Sequence, residues 1–155
     1  SLAYRLMLIA DFWVFLNIIL ALLISIPSIN LFTHGTHITV AHSMGTTIGI
    51  NTLILLSSIA YIIEVENPFA AMTIHRINRA VSLFNGSFML FWVSLLVLGM
   101  KKGYWTYFGN NISFGQFQDS LHGFYIVFVI FGLGVAIGLY IIILELLKIV
   151  KKQVS

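Results

Sequence analysis

The chain contains no cysteine, only two prolines, and few charges: 8% of its 155 residues are Asp, Glu, Lys or Arg. The missing cysteines exclude disulfides, thiolate metal sites and iron–sulfur clusters built from these residues. The scarcity of charge excludes an ordinary soluble domain, in which roughly 25% of residues are charged. With 59% hydrophobic residues, the composition is that of a membrane protein whose main partner is the lipid bilayer. The formal net charge of +3 is small and sits at the ends of apolar segments, so it reports topology, and no nucleic-acid partner is expected. A signal-peptide pattern is also missing, as is an initiator Met. The start SLAYRLMLIA is expected from processing, from a fragment or from an incompletely known sequence. There is no internal repeat and no low-complexity segment.

What is present is apolar sequence in four long runs. A spanning helix needs about 20 mostly apolar residues. Stretches of that kind run over residues 6–26, ending at Pro27, and 36–63, stopped by Glu64, Glu66 and Pro68. Two more run over 80–100, stopped by Lys101, Lys102 and Gly103, and over 120–147, ending in Lys148, Lys151 and Lys152. The expectation is an all-α integral membrane fold, residues 1–155 forming a single membrane domain. The short link Ser28–Gly35 makes the first two helices antiparallel neighbours. Arg5, Arg76, Arg79, Lys148, Lys151 and Lys152 fall on one side, with Lys101 and Lys102 on the other. Six against two places both termini inside. Tyr104, Trp105, Tyr107 and Phe108 suit the opposite interface, where amphipathic rings settle at headgroup level.

The stretch Asn30–Asn51, NLFTHGTHITVAHSMGTTIGIN, holds three of the five histidines. An ionisable residue inside a membrane helix is a functional-site hypothesis by default. A helix turns about 100° per residue, so His42 and Met44 point to nearly opposite flanks, about 200° apart. His34 and His37 share a face at i, i+3, and His37 stands about 10 Å above Met44 on one face. Ala41, Ser43, Gly45, Thr46, Thr47 and Gly49 leave room for a bulky group close to the backbone. The plain alternatives are a histidine bonded to a neighbouring helix and a methionine filling a gap in the core.

Elsewhere, Asp11 near the inner end of the first helix reads as a capped or solvated carboxylate, with a proton path as the alternative. Asn17, Asn51 and Asn85 read as buried amides bonding across helices, and Glu145 as a partner of Lys148. Gly132, Gly134 and Gly138 suggest a close helix–helix contact. The sequon at Asn111 reads as chance. His75 and His122, in or beside loops, show no metal-ligand spacing.

The run Thr33-His34-Gly35-Thr36-His37-Ile38-Thr39-Val40-Ala41-His42-Ser43-Met44 resembles the THGTxxTxAHxH pattern in the tenth membrane helix of the haem-bearing large subunit of respiratory nitric oxide reductases, in the haem–copper oxidase superfamily. ISIPSINLFTHGT before it resembles the end of the ninth helix. Asn78-Arg79-Ala80 and the aromatic segment 101–119 resemble the eleventh helix and its exit, and the last helix with its basic tail the twelfth. The resemblance covers essentially the whole chain and the last third of such a subunit, so it implies part of a larger 12-helix bundle. It implies the reaction 2 NO + 2 e⁻ + 2 H⁺ → N₂O + H₂O, carried out by an assembled complex in a bacterial-type inner (cytoplasmic) membrane and not by this chain alone. An oxygen reductase or NO dismutase of the same superfamily, and a non-catalytic assembly subunit, are the alternatives.

By the same resemblance, His42 is the axial ligand of the high-spin haem b, and His34 and His37 lie near haem propionates. His37 stands where relatives can carry Gln. The family's second histidine, ligand of a low-spin haem b on the opposite flank, is replaced by Met44. Met44 then ligates that haem, or packs against its edge, or the low-spin haem is absent or ligated from elsewhere. The non-haem iron is expected on the preceding membrane helices, which a partner chain or a missing segment supplies. The electron donor implied is a cytochrome c-type subunit or a quinol.

Overall fold

The structure is a computed structural model. It describes residues 1–66, 69–109 and 112–154. Pro68, expected to stop the second helix, and Asn111 of the sequon lie outside the described residues. The described residues are helical and contain no strand: α1 (Leu2–Ser25), α2 (Pro27–Thr33), α3 (His37–Met44), a π-helical segment (Gly45–Thr52), α4 (Leu53–Glu66), α5 (Ala71–Phe108) and α6 (Phe114–Val154). Four stretches are long and apolar enough to cross a bilayer: Leu2–Ser25, His37–Glu66, Met72–Phe108 and Phe114–Lys151. The four expected spans are therefore present, each longer than its apolar run alone suggested.

Most of the excess length falls on two expected loops. Lys101, Lys102 and Gly103 do not end the third span, and α5 continues to Phe108. Gly103 acts there as a packing residue: a Cβ on it would sit 2.7 Å from the Phe32 ring. Likewise Arg76 and Arg79 lie inside α5, which starts at Ala71. At 1.5 Å per residue α5 is about 57 Å long against a hydrocarbon core of about 30 Å, so its ends project well beyond it.

The link between the first two spans is itself structured. Ile26 is extended, Pro27 opens α2 at its first position, and α2 ends at His34. Proline suits that position because its missing N–H has no intrahelical partner to lose. Gly35 then takes φ +68°, the left-handed conformation that glycine adopts without a Cβ clash. Thr36 caps α3, its hydroxyl accepting from the Ile38 N–H at 3.2 Å. The turn is clamped from α5: Lys102 Nζ donates to the Gly35 carbonyl (3.0 Å) and Tyr107 Oη to that of Leu31 (2.7 Å).

α1 and the second span are antiparallel, as the short link implies. Near one end the Leu2 N–H donates to Glu64 Oε1 (2.7 Å) and Ser57 Oγ to the Ala3 carbonyl (2.8 Å). Further along, Asn17 meets His42 and Thr46. Leu6, Ala10 and Trp13 of α1, Leu53 and Ala60 of α4, and Phe84 and Phe88 of α5 are fully buried in one continuous core. α6 packs on α5, and its glycines are where the contact is closest. A Cβ on Gly138 would lie 2.8 Å from the Phe84 backbone nitrogen, and Gly134 faces the Ser87 side chain. Glu145 pairs with Lys148 at 2.6 Å. Asn17 is buried and Asn85 half-buried, both bonded across helices, but Asn51 is exposed.

Candidate haem-ligand site

The site begins with the backbone of the second span. α3 is regular through Met44, after which the chain widens into π-helix for eight residues, Gly45–Thr52. π-helix is rare and tends to occur at functional positions. The local sequence favours it here. The Gly45 N–H is shared between the Ala41 and His42 carbonyls. Thr46 Oγ1 donates to the His42 carbonyl (3.2 Å), Thr47 Oγ1 to that of Ser43 (2.9 Å), and Thr52 Oγ1 to that of Thr47 (2.9 Å). Side-chain hydroxyls thus occupy carbonyls that a widened turn leaves short of partners. Two glycines face the core: a Cβ on Gly45 would lie 2.7 Å from Asn17 Oδ1, and one on Gly49 would lie 2.8 Å from Trp13 Cγ and 2.9 Å from Phe88 Cε1.

His42 lies on the last turn of α3, half-buried, with Nδ1 3.1 Å from Asn17 Oδ1. The surrounding bonds fix the tautomer. Asn17 Nδ2 lies 2.6 Å from Thr46 Oγ1. The Thr46 proton goes to the His42 carbonyl, so its oxygen accepts from Asn17. Asn17 must then turn its amide nitrogen to Thr46 and its oxygen to His42. An amide oxygen only accepts, so His42 Nδ1 is the nitrogen that donates, and in the neutral ring Nε2 is the one with a lone pair to offer. Among the described residues Nε2 makes no hydrogen bond. A ring oriented by a bond at one nitrogen, with the other nitrogen unpartnered, is compatible with metal ligation. Asn17 is 4% exposed, so water competes little for the bond.

α5 secures the same place from the other side. Trp92 Nε1 donates to the Ala41 carbonyl at 2.9 Å. Trp13 Nε1 donates to Asn85 Oδ1 at 2.8 Å, and the Trp13 and Phe88 ring centroids are 4.3 Å apart. His42 is thus held between α1 and α5 by Asn17 and Trp92, both absent from the histidine-rich stretch itself.

Compared with models of known protein families, with curated proteins and with solved structures, the chain matches none.

The other candidate residues do not gather at His42. His34 and His37 do not share a helical face, because Gly35 breaks the helix between them. His34 ends α2 and is exposed beside Tyr107. His37 opens α3, half-buried, its ring centroid 6.5 Å from that of Tyr125, and its buried Nδ1 has no partner. Met44 is half-buried and packs against the core. His75 and His122 are exposed within α5 and α6, not in loops. Among the described residues no three His, Asp or Glu side chains could together hold a metal ion.

Sequence reasoning placed Asn17 only as a cross-helix amide and did not foresee Trp92 or the π-helix. Thr46-Thr47 between Gly45 and Gly49 was the available signal: two hydroxyls able to serve carbonyls between two positions without side chains.

Proposed function

We propose that this chain binds haem b through His42 and is the haem-anchoring part of a respiratory nitric oxide reductase-like complex. The observation that carries the reading is the Asn17–His42 bond within a network that fixes the proton on Nδ1. A neutral imidazole with a free Nε2 is an ordinary axial haem ligand, and the hydrogen bond at Nδ1 raises its basicity. When bound, haem b supplies the iron at which nitric oxide is taken up and electrons are delivered. The chain's own part is orientation. Asn17 and Thr46 set the ring plane, Trp92 holds the backbone at Ala41, and the buried core of Trp13 and Phe88 keeps water from behind the ligand.

Among the described residues no three His, Asp or Glu side chains could hold a metal ion together; on this reading the non-haem iron is assigned to a partner chain or further membrane helices, with a cytochrome c-type subunit or a quinol as electron donor. His34 and His37, at the mouth of α3, are candidates for contact with the haem propionates. An oxygen reductase of the same superfamily would use His42 in the same way, and the missing metal ligands separate the two. Pyridine haemochrome spectra of the assembly purified with this chain test the reading. Haem b is expected, and its absence overturns it.

The packing of Met44 against the core supports a packing role on its flank. Met44→Leu is then expected to leave haem content and visible spectra unchanged, because the two side chains are close in volume. A near-infrared magnetic circular dichroism band of a His/Met haem, lost in Met44→Leu, would assign it as a ligand instead.

A further inference from the structure

Asp11 lies in a place that the described residues do not explain. α1 buries Leu6, Ala10, Trp13 and Asn17 against the core and turns Asp11 outward, among exposed Met7, Phe15, Ile18 and Leu22. It is not at the helix end, as the sequence suggested. It stands nine positions after Leu2 and fourteen before Ser25. With α1 centred in a hydrocarbon core of about 30 Å, Asp11 is about 11 Å inside it. A carboxylate side chain is too short to reach headgroups from there, and ionisable residues at such depth pair with a partner or face a polar cavity. Among the described residues Asp11 has no hydrogen bond or ion pair.

We infer that this face of α1 is covered by a transmembrane helix of another chain that presents a cationic side chain, Lys, Arg or His, to Asp11. Charge complementarity selects this occupant over a second copy. The Trp13–Gly49 contact and the Trp13–Asn85 bond define the level of Asp11 in the bundle. The Lys and Arg positions stand nearer the helix ends: Arg5 in α1, Arg76, Arg79, Lys101 and Lys102 in the outer turns of α5, and Lys148 and Lys151 in the last turns of α6. A symmetric contact between two α1 faces would instead oppose Asp11 to Asp11. Asn51, exposed on the π-helical segment close to the same level, makes this depth polar on two neighbouring helices. Lipid tails satisfy neither group. The inference stands apart from haem binding by His42, since any cationic helix at this depth meets it.

A photo-crosslinking amino acid at Phe15, one turn from Asp11, tests it in the full assembly extracted from its native membrane. The expected product is an adduct with a different chain, in an apolar peptide with a Lys, Arg or His within one turn of the linked residue. Asp11→Lys should then lower co-purification of that chain by at least about tenfold, as for a broken buried pair. The reverse change in the partner should restore it. Adducts only with lipid, with a second copy, or with a helix lacking a cation overturn the inference, as does failure of the charge swap. Because adduct and haem are measured separately, loss of one reading leaves the other standing.

Discussion

Replacing His42 with alanine is expected to remove one haem b from the purified assembly while leaving the helices in place. The loss should exceed the roughly 10–100-fold effect of removing a group that merely supports a ligand. The structural reason is specific to this site. His42 is half-buried, and its single side-chain bond is to Asn17. Asn17 keeps its bond to Thr46 at 2.6 Å when the imidazole is gone, and Trp92 bonds the Ala41 backbone, not the ring. The fold therefore loses one hydrogen bond and leaves the buried Asn17 Oδ1 without its partner, a cost of about 1–3 kcal/mol, while the proposed haem loses the ligand assigned to it at His42. His42→Gly supplemented with imidazole should recover the haem spectrum in part. Pyridine haemochrome spectra, normalised to assembled complex, measure both variants. Unchanged haem in His42→Ala would remove His42 from the site.

The second large effect lies at Gly49. A Cβ there would meet Trp13 Cγ at 2.8 Å, Phe88 Cε1 at 2.9 Å and Trp13 Cδ2 at 2.9 Å. These atoms belong to two fully buried rings, and Trp13 is also tied to Asn85, so neither can swing aside as a flexible chain end would. Overpacking of this kind typically costs about 1–3 kcal/mol. Gly49→Ala is expected to fall in that range, and Gly49→Leu beyond it, separating α1 from α5 and displacing Asn17 from His42. Gly86 is the control. It is exposed on α5, and a Cβ there meets nothing within 4 Å. Gly86→Ala should be neutral or stabilising by about 0.4–1 kcal/mol. Thermal aggregation followed by size-exclusion chromatography in detergent ranks the three. Gly49→Leu as stable as Gly86→Ala would contradict the packing described.

The spans were legible because membrane burial demands long apolar runs, and only the bilayer-facing composition needs to be read for that. Their ends were not. Lys101, Lys102 and Gly103 look like a helix stop, yet at Gly103 the absent side chain makes room for Phe32, a contact between residues 71 positions apart. The same limit governs the site. His42 stood out because its type is rare in a membrane helix. Asn17 did not, because a cross-helix amide looks the same whether its partner is a histidine ring or a serine. The pairing of His34 with His37 failed for a local reason: helical spacing was carried across Gly35, whose positive φ breaks the helix. The apolar run that begins at Leu6 places Asp11 near a helix end. The helix begins at Leu2, which carries Asp11 deeper.

The most direct test of His42 as ligand is the iron–imidazole stretching band in resonance Raman spectra of the reduced assembly, with ¹⁵N-labelled histidine. The band should be present in the unmodified chain, should shift with the label, and should disappear in His42→Ala. In Asn17→Leu it should persist at lower frequency, because the Nδ1 proton loses its acceptor and the imidazole its extra basicity. A band that is absent, or present and unmoved by both substitutions, would contradict the assignment of His42 as a ligand oriented by Asn17.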